Sequence, residues 1–255
     1  MAKRFPKIYP YGFKPTHSEK RLKEDIEVII KKKKETVIFP GSMGDYFSNC
    51  DWIDKENPEI IYQNLGSKVI KSCMKINIER VLNSKKPHRF LFLTKNPEGY
   101  LRVMARLQND PATSYIYREY FWFGSTIETN FLEKDMMRVD LLNELKRKYR
   151  VNTFVSYEPM LNFNDIYTFG LEDIDWIIMG ALNNSGHPDF LNIDMVQAIK
   201  GISIVNEHIF LKDSIIKNID STNCDGSSLI KSYSRSDLDK IKEMRYIPWI
   251  TKQQQ

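Results

Sequence analysis

Six short apolar runs punctuate the chain, each ending in glycine or polar residues, and the longer stretches between them carry apolar residues at helical spacing. The runs are Val37-Ile38-Phe39-Pro40-Gly41-Ser42, Phe90-Leu91-Phe92-Leu93-Thr94-Lys95, Phe121-Trp122-Phe123-Gly124-Ser125-Thr126, Thr153-Phe154-Val155-Ser156-Tyr157-Glu158, Trp176-Ile177-Ile178-Met179-Gly180 and His208-Ile209-Phe210-Leu211-Lys212-Asp213. Aromatic and β-branched residues dominate them, as expected of buried strands. Pro159 stops regular pairing after the fourth run, which leaves Glu158 at a carboxyl end.

The intervening pattern predicts helices. Ser18 caps a helix from Glu19 to about Lys33, with Leu22, Ile26, Ile29 and Ile30 inside. A second runs from Pro58 to Leu82 on Ile61, Leu65, Val69, Met74, Ile78 and Val81, with Trp52 in the loop before it. A third starts at Asn96-Pro97, carries Tyr100, Met104 and Leu107, and breaks at Asn109-Asp110-Pro111. The helix from Phe131 to Tyr149 turns Leu132, Met136, Val139, Leu142 and Leu145 inward, and Ile193 to Val205 uses Met195, Ile199 and Ile202. Ser236 is expected to cap a last helix, Asp237 to Met244, before an apolar tail, Tyr246 to Trp249, that docks. Residues 1–18 read as an extended N-terminal segment, 183–188 as a loop, and 220–255 as a C-terminal loop, helix and tail. Strand alternating with helix implies one parallel α/β domain, and six strands rather than eight imply an incomplete TIM-type (β/α)6 barrel.

Composition adds limits. Hydrophobic residues at 42% and charged residues at 28% are ordinary globular usage, which excludes a mainly disordered chain. The net charge of +5, from 38 basic and 33 acidic residues, leans mildly towards nucleic acid as partner. Lys31 to Lys34 form the densest basic run, read either as a solvated helix end or as a phosphate contact. Cys50, Cys73 and Cys224 are odd in number, far apart and without metal spacing, which argues against a disulfide framework and fits a reducing cytoplasm. No membrane partner is expected, because no apolar run reaches about 18 residues. Met1 to Pro6 lacks a signal-peptide core, so a soluble cytoplasmic protein is expected. Nothing in the pattern sets the oligomeric state.

In a parallel α/β sheet or barrel the carboxyl ends of the strands share one face, where ligands sit. Those ends carry Ser42, Asp45, Thr94, Lys95, Ser125, Thr126, Glu128, Ser156, Glu158, Lys212 and Asp213, with Gly41, Gly44, Gly124 and Gly180 where a ligand approaches backbone. Such a ring suits a polar, zwitterionic ligand. A structural alternative stands beside each role: Glu158 with Lys95 or Lys212 as an ion-pair network, Asp45 as a turn cap, Glu128 as a helix cap. His187 and His208 have no triad or metal spacing around them and read as structural.

Six motifs occur in order: Gly41-Ser42-Met43-Gly44-Asp45-Tyr46-Phe47, Leu91-Phe92-Leu93-Thr94-Lys95-Asn96-Pro97, Trp122-Phe123-Gly124-Ser125-Thr126-Ile127, Phe154-Val155-Ser156-Tyr157-Glu158-Pro159-Met160-Leu161, Ile174-Asp175-Trp176-Ile177-Ile178-Met179-Gly180 and Ile209-Phe210-Leu211-Lys212-Asp213-Ser214. Together, over roughly residues 3 to 215, this set resembles the phage and prophage radical-SAM-like family called the gene-product thirty-seven/sixty-eight family, whose biological role is unassigned. The resemblance implies a barrel holding an iron-sulfur cluster on three cysteine thiolates, with S-adenosylmethionine chelated to the fourth iron as the source of a hydrogen-abstracting radical. It also implies that Lys95, Glu158 and Lys212 are catalytic, that Ser42, Met43, Asp45, Thr94, Ser125, Glu128 and Ser156 bind the cofactor, and that nucleic acid is a candidate substrate. In that family the cluster cysteines precede a stretch like Ala2-Lys3-Arg4-Phe5-Pro6, where this chain begins. Two expectations follow: a natural segment with the first strand and cluster loop is missing here, or the chain is a cluster-free barrel that binds nucleic acid or protein.

Overall fold

The computed structural model describes residues 14–41, 45–63, 65–107, 111–127, 132–158, 170–180, 195–217 and 235–249. The expected N-terminal segment up to residue 13, the loop at 183–188 and the loop up to residue 234 lie outside them. The chain is an α/β fold with a six-stranded parallel sheet in the order β2-β5-β6-β7-β8-β9, and it divides into two compact units, Met1–Trp122 and Phe123–Gln255, at the second residue of β6.

The first unit comprises β1 (Thr16–His17), α1 (Glu19–Lys31), β2 (Val37–Ile38), β3 (Trp52–Asp54), β4 (Ile61–Tyr62), α2 (Leu65–Leu82), β5 (Arg89–Thr94), α3 (Glu98–Leu107), α4 (Pro111–Tyr120) and the start of β6 (Phe121–Ile127). Phe90, Leu91 and Phe92 are all buried in β5, as a strand covered on both faces requires. Phe121 packs edge-on against Phe90 and Phe92, each at 5.4 Å between centroids. Ser18 caps α1 as expected, accepting from Arg21 N at 3.2 Å. Leu22, Ile26, Ile29 and Ile30 mark its less exposed side, yet none is fully buried.

Five expectations for this unit are corrected. The second helix begins at Leu65, not Pro58, and Trp52 is buried in a strand rather than lying in a loop, because residues 52–62 form an antiparallel pair. Asp54 Oδ1 accepts from Glu56 N and Asn57 N while Oδ2 accepts from Tyr62 Oη at 2.9 Å, so the turn closes on one carboxylate. The buried face of α2 carries Ile70, Cys73, Ile76, Asn77 and Arg80, while Val81, expected inside, is exposed. Asn77 exchanges two hydrogen bonds with the His88 backbone, and Arg80 donates to Lys86 O and Lys32 O, so polar groups on this helix bind the chain ahead of both β2 and β5. The first of the six apolar runs forms only a two-residue strand, β2, with Val37 and Phe39 exposed rather than buried. Finally, Pro111 opens an unexpected helix, α4, that runs directly into β6; proline has no N–H to lose at a first helical position.

The second unit holds the rest of β6, α5 (Leu132–Tyr149), β7 (Asn152–Tyr157), β8 (Trp176–Met179), α6 (Met195–Val205), β9 (Ile209–Leu211) and α7 (Arg235–Lys242). Val139, Leu142 and Leu145 are buried as the helical spacing predicts. The strands β7, β8 and β9 pair in parallel, with Phe154 opposite Trp176 and Ile177 opposite Ile209. Ser236 lies inside α7 rather than capping it. The tail docks as expected: Tyr246 N donates to Ile209 O at 3.0 Å, Trp176 Nε1 donates to Tyr246 O at 2.8 Å, and Trp249 meets Trp176 edge-on. These bonds occupy an edge of β9 that would otherwise be open. Among the described residues no helix is long and apolar enough to cross a membrane.

Candidate strand-end sites

In the second unit three adjacent parallel strands deliver three residues side by side. Glu158 follows β7, Gly180 follows β8 with its N–H on Tyr157 O at 2.9 Å, and Lys212 follows β9 with its N–H on Met179 O at 2.9 Å. Lys212 Nζ donates to a Glu158 carboxylate oxygen, and both side chains are 39% exposed. Gly180 makes that pairing fit, since a Cβ there would stand 2.9 Å from Glu158 Oε1 and 3.1 Å from Lys212 Cδ. The result is a half-open carboxylate–ammonium pair over bare backbone.

The neighbouring polar residues play different parts. Asp213 pairs with Arg245, whose guanidinium holds the carboxyl below the usual carboxylate range, and Arg245 Nη1 also donates to Leu211 O at 2.7 Å. Asp213 thereby belongs to the tail contact. Ser125 and Ser156 are buried, and Ser125 Oγ lies 3.5 Å from Thr126 O. Gly124 gives its space to the Phe154 ring, whose Cζ would lie 2.3 Å from an added Cβ, and not to a ligand. Glu128 lies outside the described residues.

In the first unit the end of β5 is tied by Asp45. Its Oδ1 accepts from Thr94 Oγ1 at 2.6 Å and Phe47 N at 3.0 Å, and its Oδ2 accepts from Lys95 N at 2.9 Å. Thr94 Oγ1 in turn accepts from Asn96 N at 2.9 Å, and Asn96 Nδ2 donates to Phe47 O at 2.7 Å instead of capping the helix. Asp45 and Thr94 therefore serve the backbone, while Lys95 is exposed at the strand end. Ser42 and Met43 lie outside the described residues. The anchor that sequence reading missed is Phe47, which stands 4.4 Å from Tyr100 between ring centroids and fills the space left by Gly66 and Gly99. Two glycines in the first turns of two helices were the signal.

The cysteines are the test for an iron-sulfur centre. Cys73 is buried in α2 and burial pushes its thiol up, which keeps the proton on sulfur. Cys50 is half-buried with Sγ 2.8 Å from Ser48 Oγ, and Cys224 lies outside the described residues. Among the described residues no group of three or more His, Cys, Asp or Glu side chains could hold a metal ion. These residues do not fit a three-thiolate cluster. The Glu158–Lys212 pair does fit the ammonium and carboxylate of a methionyl group.

Nothing among the curated proteins matches the chain, and no solved structure does. A family model matches residues 1–190, three quarters of the sequence's length and all of the strand ends up to Gly180, and the chain therefore belongs to the family described as Protein of unknown function (DUF5131).

Proposed function

We propose that the chain is built on the radical-SAM plan, as an enzyme or the descendant of one, with an incomplete (β/α)6 barrel as its scaffold and nucleic acid as its substrate class. The observation that carries this reading is the Glu158–Lys212 pair over Gly180, at the carboxyl ends of three consecutive parallel strands. Lys212 Nζ would take the methionine carboxylate of S-adenosylmethionine and the Glu158 carboxylate its ammonium, each exchanging one partner for another of the same sign. Bound S-adenosylmethionine supplies a sulfonium whose carbon–sulfur bonds are activated. Lys95 would contact substrate at the end of β5, and Asp45 holds that strand end in place.

A second reading is favoured by the cysteines: a cluster-free barrel that binds nucleic acid or protein without radical chemistry. Equilibrium dialysis with radiolabelled S-adenosylmethionine, beside anaerobic reconstitution with iron and sulfide, separates the two. The first reading expects saturable S-adenosylmethionine binding that Lys212→Ala and Glu158→Gln each weaken at least several-fold. It fails if wild type does not bind, or if both variants bind as wild type does. Cluster absorbance after reconstitution, followed by reductive cleavage of S-adenosylmethionine, is the result the second reading cannot survive.

A further inference from the structure

At the opposite, amino end of β7 the second unit has a groove of about 500 Å3, lined by Asn143, Lys146, Arg147, Arg150, Asn152 and Asp175 among others. Its basic groups are not equivalent. Lys146 Nζ is taken by Asp173 O at 2.6 Å and by Asp175 Oδ1 at 2.7 Å, while the other Asp175 oxygen accepts from Thr153 N and Oγ1. The side chains of Arg147 and Arg150 are exposed and make no hydrogen bond or ion pair with the described residues. The groove thus presents two uncommitted guanidinium groups beside a neutralised lysine.

Arg150 also holds its place against local preference. It is the first residue past α5, its N–H donates to Lys146 O at 2.8 Å, and its φ is 55°, the left-handed conformation in which glycine usually ends a helix. A long side chain kept at such a position is a strained choice, and strain of this kind gathers where the side chain has work to do. Asp173 adds a carboxylate to the same lining. An anion flanked by hydrogen-bond donors suits the guanidinium groups and that carboxylate together. A phosphodiester with its sugar and base has that chemistry.

We propose that this groove binds the backbone of a single-stranded nucleic acid, with Arg147 and Arg150 on a phosphate. The inference rests on the nucleic-acid side of the reading above and gives it a site away from Glu158 and Lys212. The test uses the whole chain without S-adenosylmethionine, so its failure leaves the S-adenosylmethionine experiment untouched, and the reverse holds too. Fluorescence anisotropy of a labelled single-stranded DNA is read at low salt for wild type, Arg147→Ala, Arg150→Gly and the control Lys75→Ala, an exposed lysine of α2. Both arginine variants weaken binding several-fold and flatten the dependence of log affinity on log salt by about 0.7 per lost phosphate contact, while the control does not change. Arg150→Gly also raises Tm, by about 2–4 °C, since glycine relieves the strained backbone. Wild-type affinity in both arginine variants overturns the proposal, as does a lower Tm in Arg150→Gly. Displacement of the DNA by inorganic phosphate at equal phosphate concentration would instead assign the groove to the free ion, and preferential uptake on phosphatidylserine vesicles would assign it to a lipid headgroup; either result overturns the strand assignment.

Discussion

Replacing Asn77 by alanine should destabilise the protein more than a change to any exposed polar residue of α2. The Asn77 side chain is fully buried and makes both bonds an amide can make to a backbone peptide: Nδ2 to His88 O at 2.9 Å and Oδ1 from His88 N at 2.8 Å. His88 is itself fully buried, so water cannot replace the lost partner. Each orphaned buried group costs about 1–3 kcal/mol. Alanine returns roughly 0.5 kcal/mol through its higher helix propensity, which leaves a net loss of about 2–5 kcal/mol. Urea unfolding followed by far-ultraviolet circular dichroism and tryptophan fluorescence measures it as a shift in midpoint at constant slope. Asn77→Asp sharpens the test, because a carboxylate can accept from His88 N but only its protonated form can donate to His88 O; acidification should therefore recover part of that variant's loss relative to wild type. An Asn77→Ala protein within about 0.5 kcal/mol of wild type would show that the clamp contributes little and that the reasoning is wrong.

Two glycine substitutions should move in opposite directions. At Gly99 a Cβ would stand 2.4 Å from Phe47 O, so Gly99→Ala should lose about 1–3 kcal/mol to overpacking despite a better helix former; a Tm at or above wild type would contradict the close approach. At Gly201, inside α6, nothing lies within 4 Å of an added Cβ, and Gly201→Ala should gain about 0.5–1 kcal/mol in the same melt. His88 accepts from Thr36 N through Nδ1 and faces Ile29 O through Nε2, so it is neutral in the fold, and burial lowers its pKa. The unfolded chain then binds the extra proton, and stability should fall as pH drops below about 6.5; the wild-type midpoint should decline more steeply between neutral and mildly acid pH than that of His88→Gln, and equal slopes would refute the assignment. Trp176→Phe removes the donor to Tyr246 O, so limited proteolysis should cut the tail faster with little change in global unfolding; unchanged cleavage would mean that the indole bond does not hold it.

The sheet strands were legible because burial on both faces writes them as continuous apolar runs, as at Phe90 to Phe92 and throughout β8. The helices were legible where one face is apolar, as in α5 through Val139, Leu142 and Leu145. What escaped was built from side-chain hydrogen bonds or from very short segments. The turn that brings β3 beside β4 is tied by one aspartate and one tyrosine hydroxyl, which have no periodicity to read. In α2 the buried face includes Asn77 and Arg80, residues that a hydropathy pattern assigns to solvent. Among the site residues the ends of β7, β8 and β9 were readable as a group. The assignment of Asp45 and Thr94 to the backbone, and of Asp213 to Arg245, needed coordinates, because a carboxylate that holds a turn and one that holds a ligand look alike in one dimension.

Gly124 and Phe154 make up one quantity of volume divided between two positions: the ring of one occupies the place where the other lacks a side chain. Enlarging one of them alone is forbidden, and shrinking one alone leaves a void. A smaller residue at 154 would make room for alanine at 124, and the paired change should do less harm than its two halves added together.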